Sequence, residues 1–319
     1  MKKLIATIAL IIVAISTKAQ EIYFSQHYAD KLSINPAFAA TNGNSCLSAI
    51  LRQQFPAADG GYKTYAASYM QNLGRCGIGV RAYGTSAGAF YQNQFSATYA
   101  NTVTISRKIK CSAAVEAEFC TKNLKQNKLV YYSMLDPLDG TINSNQPNIE
   151  YTSPRTMAMS VGILLTTGAT TAGVAVYNVA QYKIAGEDGI PKSISAFAQH
   201  KIALTKSLKN SHIETSCLIP SIIYRRQSDI NTIQAGVNID NTPVIGGIAY
   251  RIQTGEYTFH TLVATIGTTI GKVKVGYGHD FDLSSITKNS YGAHEIAVTF
   301  KLSDGKKNKG YETIKCPAF

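Results

Sequence analysis

Six histidines, six cysteines and the carboxylate pair Asp280 and Asp282 are the residues of this chain whose types could do chemistry. Their spacing argues against the common uses. His27, His200, His212, His260, His279 and His294 never fall in the HExxH pattern that presents two imidazoles to a catalytic zinc. The chain also lacks a GxSxG elbow for a nucleophilic serine and a Walker-type loop for phosphate. Among Cys46, Cys76, Cys111, Cys120, Cys217 and Cys316 there is no CxxC pair, so neither dithiol redox chemistry nor a cysteine zinc site is indicated. Asp280 and Asp282 read as two solvated acids at a strand end. The sequence therefore predicts no catalytic residue, no cofactor and no metal, and points to a protein that is not an enzyme.

The elements that carry these residues are more informative. Residues 275 to 302, VGYGHDFDLSSITKNSYGAHEIAVTFKL, hold two alternating stretches around a polar loop. Ile296, Val298, Phe300 and Leu302 share one face, while Glu295, Ala297, Thr299 and Lys301 share the other. That period of two is the signature of a strand with one apolar face. It recurs from Gln92 to Ile105, where Phe95, Ala97, Tyr99 and Val103 alternate with Gln94, Ser96, Thr98 and Thr102. Val244, Ile248 and Tyr250 behave likewise, as do Val273, Val275, Tyr277 and Phe281 against Lys272, Lys274 and Asp280.

Marking each such segment between turn signals predicts fourteen strands: 45 to 54, 63 to 72, 76 to 84, 92 to 105, 110 to 121, 157 to 166, 171 to 182, 193 to 206, 212 to 225, 229 to 239, 243 to 252, 257 to 268, 272 to 281 and 292 to 302. Pro220 cannot donate to a ladder, so the strand holding it is expected to be bulged or misplaced there. Alternate connections are tight, as at Leu73-Gly74-Arg75, while others are long, above all 122 to 155.

The destination of the apolar faces follows from the rest of the chain. The opening MKKLIATIALIIVAISTKAQ has two lysines, an apolar run from Leu4 to Ile15 and small residues at 17 and 19, which reads as a signal peptide cleaved after Ala19. After it, no apolar run approaches the roughly 20 residues of a membrane-spanning helix. On the strand from 110 to 121, Glu116 and Glu118 oppose Val115, Ala117 and Phe119, and a polar interior of that kind suits a lumen better than a sandwich core. With 19 Tyr, 11 Phe and only 16% charged residues, the composition matches strands with aromatic belts. The fold predicted is all-β: a transmembrane antiparallel outer-membrane barrel of about 14 strands, with short periplasmic turns and longer extracellular loops. A soluble sandwich, such as an extracellular adhesin, is the weaker reading.

The precursor's net charge of +12 falls to +9 when Lys2, Lys3 and Lys18 leave with the signal. The remaining basic residues cluster in turns and at the end of the chain, at Lys306, Lys307 and Lys309 among others. Such clusters attract acidic or anionic surfaces, but an exported chain with no aromatic-basic motif is not expected to bind nucleic acid. Six cysteines in an oxidising compartment point to disulfides, with fifteen full pairings open. Cys46, Cys76 and Cys111 fall at one end of the predicted barrel, and Cys316 lies on the same side.

IYFSQHYADKLSINPAFAAT, residues 22 to 41, resembles the opening of the PorP/SprF family of the Bacteroidetes type IX secretion and gliding systems. The phrases that carry the likeness are Phe24-Ser25-Gln26 and Asn35-Pro36-Ala37. KTYAASYMQNLGRCGIGV resembles the family's second hairpin, and Gly276, Tyr277, Asp280, Phe281, Leu283, Ser284, Gly292, His294, Glu295 and Ile296 resemble its closing phrases. The final CPAF, with Cys316, Pro317 and Phe319, is similar too. The chain departs from the family at His27 to Lys31 and at Ala40-Thr41, so family contacts of that segment are not carried over.

The resemblance implies a non-enzymatic outer-membrane barrel of the type IX machinery that anchors periplasmic or lipoprotein components and supports secretion or surface attachment of adhesin clients. Four segments follow: a signal peptide (1–19), an N-terminal periplasmic or plug segment (20–44), the barrel (45–302) and a periplasmic tail (303–319). An even strand number places both termini on one side, expected to be the periplasm. The motif residues Phe24, Ser25, Gln26, Asn35, Pro36, Ala37, Cys316, Pro317 and Phe319 are then the candidate partner-binding positions. The alternative is a transport barrel for a small solute, with residues 20 to 44 as its plug.

Overall fold

Period-two alternation does what it predicts: every strand turns one face to a shared interior and the other to the outside. The computed structural model describes residues 24–41, 44–57, 61–135, 142, 151–186, 189–204, 216–284 and 291–304. Residues 1–23, which hold the expected signal peptide, and residues 305–319, with Cys316, Pro317 and Phe319, lie outside the described residues. Fourteen strands form one antiparallel sheet: β1 (Asn44–Gln54), β2 (Tyr62–Asn72), β3 (Cys76–Ala87), β4 (Phe90–Thr104), β5 (Ile109–Leu124), β6 (Arg155–Thr167), β7 (Thr170–Ala185), β8 (Ser193–His200, resumed at Ile202–Ala203), β9 (Cys217–Gln227), β10 (Ile230–Asn241), β11 (Val244–Thr254), β12 (Phe259–Ile270), β13 (Val273–Asp282) and β14 (Ala293–Asp304). Each pairs with its sequence neighbours, and β14 pairs with β1 from Asn44↔Asp304 to Gln54↔Ala293, which closes the barrel. Closure leaves no sheet edge at that seam. Among the described residues no helix is long and apolar enough to cross a membrane.

The facing agrees with the sequence reading. Phe95, Tyr99, Val115, Ile296, Val298 and Phe300 stand exposed on the outside, while Gln94, Ser96, Thr98, Glu116, Glu118, Lys274 and Glu295 are buried inside. At the near end, where β1 begins and β14 finishes, most connections are short, as at residues 73–75, 168–169 and 271–272. Gly168 and Gly271 take φ of +55° and +60°, which two-residue turns of this kind require. The connection of about thirty residues between β5 and β6 lies at the far end.

Two strands differ from expectation. The expected strands 193–206 and 212–225 correspond to β8, which breaks after His200, and β9, which begins at Cys217 and runs on to Gln227; their expected ends at 205–206 and 212–215 lie outside the described residues. Pro220 supplies the reason. Ser221 pairs with Gln199 and Leu218 with Ile202, so the ladder skips the residues opposite the proline that cannot donate to it. β7 overshoots its neighbour: Tyr177 pairs with Ser193, and the strand then continues to Ala185 against β6 alone. Asn178, at φ +59°, makes the bend there and donates its backbone N–H to Ser160 Oγ (3.1 Å).

The cysteine expectation needs correction. Cys46, Cys76 and Cys111 are free thiols, and Cys76 Sγ sits 3.2 Å from Tyr99 Oη rather than against another sulfur.

Candidate functional site

Residues 24–41 lie inside the barrel. The segment has neither helical nor strand periodicity. It folds as two short 3₁₀ turns, Lys31–Ser33 and Pro36–Ala40, the second started by Asn35, whose Oδ1 accepts from the Ala37 N–H (2.9 Å). Proline at the first position of that turn carries no N–H to leave unpaired. The chain descends from Phe24, in the far half of the lumen, to Ala40 at the near end, where Ala40 O accepts from Asn72 Nδ2 (2.7 Å) beside the start of β1.

Three contacts hold this plug. The uppermost is a latch at Ser25 and Gln26, whose backbone N–H groups donate to Glu295 Oε2 (2.8 Å) and Oε1 (2.7 Å). Ser25 Oγ donates to Asp280 Oδ1 (2.7 Å) and accepts from Arg52 Nη1 (3.0 Å) and Arg251 Nη2 (2.7 Å). Arg52 pairs with Asp280 (2.7 Å) and Glu295 (3.2 Å), and Arg251 pairs with Asp280 (2.8 Å). Two cations and two anions thus cancel around one serine. Asp280 is only 2% exposed and Glu295 1%. Burial of such charges is tolerable only when each is paired and hydrogen-bonded, as here.

The middle contact is a fork between Asp30 and Arg81: Nε lies 3.0 Å from both carboxylate oxygens and Nη2 lies 2.8 Å from Oδ2. Its planar, two-point geometry fixes orientation as well as charge. Nearby, Tyr177 Oη donates to Leu32 O (2.8 Å). The third contact, at Asn35, combines a hydrogen bond with a close fit. Asn35 Nδ2 donates to Ile163 O (3.0 Å), and a Cβ on Gly162 would overlap Asn35 Oδ1. Gly276 makes the same room for Tyr28 Oη, whose ring also receives Lys274 Nζ at 3.9 Å. Glycine at these wall positions lets the plug approach the backbone. Phe38 meets Phe197 edge-on at 5.6 Å between ring centres.

Electrostatics suit a dry seat. Burial, aided by Arg225 and Arg251, holds the His27 imidazole well below the usual histidine range, and burial with the Glu295 charge raises the Tyr28 phenol. Among the described residues, cavities beside the plug include two of about 50 Å³ and about 40 Å³, room for a few waters each.

Six of the sequence-derived positions, Phe24, Ser25, Gln26, Asn35, Pro36 and Ala37, therefore come together in the lumen. All are buried, and the polar groups of Ser25, Gln26 and Asn35 bond to the wall. In this conformation they face the barrel, not a partner. The solvated reading of Asp280 is overturned, because both of its oxygens are engaged. Sequence reasoning missed Arg52, Arg81, Arg251 and Asp30. The available signal was charge on inward faces: Arg52 lies between Ile50 and Gln54, and Arg251 opposite Tyr250 and Ile252. Among the described residues no group of three or more His, Cys, Asp or Glu side chains could hold a metal.

The family model described as type IX secretion system membrane protein PorP/SprF matches residues 16–300. Among curated proteins, no relative matches. Among solved structures the chain is similar to the CymD monoaromatic hydrocarbon channel (TM-score 0.52, 10% identity, 87% of this chain and 94% of that one). It is similar also to the P. putida toluene transporter TodX (TM-score 0.49, 10% identity, 86% and 94%) and to CdiB from Acinetobacter baumannii (TM-score 0.45, 9% identity, 81%), of whose length it spans 60%. At 10% identity the likeness to CymD speaks for the fold alone, that of an outer-membrane β-barrel.

Proposed function

This chain belongs to the PorP/SprF family of type IX secretion system membrane proteins, and from that premise we propose that it serves the machinery as a sealed outer-membrane scaffold. One observation carries the reading: the lumen holds the chain's own residues 24–41, bonded to the wall at the latch, at Asp30–Arg81 and at Asn35. A barrel so filled anchors rather than conducts. The end with short turns is taken to face the periplasm, as in barrels of this class, which puts residues 305–319 on the side of the periplasmic or lipoprotein components. Adhesin clients would meet the long far-end connections.

The scaffold reading predicts that proteoliposomes of the purified protein do not swell in sugars or amino acids, while crosslinking in intact cells joins it to type IX components. Rapid swelling without such crosslinks would sink it. The second reading, a transport barrel for a small solute, has one observation in its favour: every contact of the plug is non-covalent, so displacement would open a lumen lined by polar side chains.

A further inference from the structure

The near-end turns repeat one short pattern. Leu73-Gly74-Arg75, Ile105-Ser106-Arg107 and Ile270-Gly271-Lys272 each set a basic residue two places after a large aliphatic one. The three aliphatic side chains end outward-facing columns of their strands and are more than half exposed, and the three bases stand exposed beyond them at the turns. Among the described residues, the five complete near-end turns, 73–75, 105–108, 168–169, 242–243 and 271–272, hold Arg75, Arg107, Lys108 and Lys272 and no acid. These bases are not spread evenly around the rim. They occupy the turns on either side of the seam between β1 and β14 and the next turn along, β4–β5, while the turns of β6–β7 and β10–β11 have none.

Two of those turns are close enough to share a ligand. Turns centred two strands apart stand about 10 Å apart, and Thr102, near the end of β4, donates its N–H to Arg75 O (2.7 Å), which draws the β2–β3 turn onto the end of β4. A group between them is within side-chain reach of Arg75 and of Arg107 and Lys108. On the outer wall next to these bases lie Leu73, Val103, Ile105 and Ile109, all exposed. Charge at the rim with hydrocarbon beside it calls for an amphiphile. An acidic protein surface in water would satisfy the bases and leave the four aliphatic side chains wet, whereas a lipid satisfies both. We propose that Arg75, Arg107 and Lys108 bind the phosphate of an anionic phospholipid such as phosphatidylglycerol, whose acyl chains lie along Leu73, Val103, Ile105 and Ile109. Arginine suits the phosphate because its planar fork donates two parallel hydrogen bonds to it. The choice of a phospholipid over lipid A rests on the proposed periplasmic placement of the near end; the binding itself does not depend on the scaffold role.

The test is native mass spectrometry of the mature protein released from detergent micelles that carry phosphatidylglycerol, zwitterionic phosphatidylcholine or lipid A. Phosphatidylglycerol should be retained at least about tenfold better than phosphatidylcholine. The combined variant Arg75→Gln, Arg107→Gln and Lys108→Gln should lose that preference. The variant Lys125→Gln, Lys128→Gln and Arg155→Gln, which removes three exposed bases from the far end, should keep it. Heat-modifiable migration confirms that each variant is folded. Excess inorganic phosphate should not displace the lipid, because it has no chains for the apolar wall. Equal retention of the two phospholipids, a preference that survives in the folded near-end variant, or displacement by phosphate would each overturn the site, and stronger retention of lipid A would overturn the choice of ligand. Lipid binding that persists where crosslinks to type IX components fail would count against the scaffold reading alone.

Discussion

At the level of single residues, the latch shows how polar groups can hold a segment inside a barrel. Removing one member of a buried, hydrogen-bonded ion cluster leaves its partners uncompensated, at about 3–5 kcal/mol. Glu295→Ala should therefore unseat Phe24–Gln26 while the strands stay closed; protease in detergent would then cut the plug in the variant and spare it in the parent. Uncut plug in both would show that the latch is dispensable. Gly162→Val acts by shape instead, because its side chain must enter the space of Asn35 Oδ1, and the same digestion should expose the plug. His27 gives a pH dependence of known sign. Its pKa is lowered when the plug is seated and about 6.5 when it is free, so its contribution is present above pH 6.5 and is lost as pH falls below that value. Plug digestion should rise on acidification through this window, and His27→Gln should remove that rise.

At the level of elements, the strands were legible because alternation is a local property that each segment carries alone. Facing, strand number and the awkward place of Pro220 could all be read from it. Residues 24–41 could not be read this way, since their path is set by gaps in a wall assembled from distant strands: Gly162 of β6, Gly276 of β13 and Arg81 of β3. Asp280 was misread for the same reason. Periodicity turns it inward, but only the tertiary fold brings Arg52 and Arg251 to it. The outer face yields a direct prediction. Val298 lies between Ala49 and Val275 on the outside of β14, and an arginine there near the bilayer midplane costs about 2–4 kcal/mol. Val298→Arg should lower the heat-modifiable fraction in outer membranes; full assembly of the variant would mean that this face does not meet lipid.

For the whole molecule, the proposed scaffold role would divide labour between a closed barrel and its basic end. β14 is described to Asp304, so deletion of 305–319 removes no described strand. Within the proposed role, the truncated protein should still migrate as a folded barrel but lose its crosslinks to periplasmic partners. Those crosslinks, in the intact protein, should weaken with salt, as exposed charges are screened over about 8 Å at physiological ionic strength. An unchanged partner set would assign recognition elsewhere. The latch has one more implication, about order in time. Arg52 belongs to the first strand and Glu295 to the last, so the pocket for Ser25 does not exist until the two ends of the sheet meet. The plug can seat firmly only in a barrel that has finished closing, and a chain caught with its seam ajar would carry its amino-terminal segment loose, a visible mark by which incomplete molecules differ from complete ones.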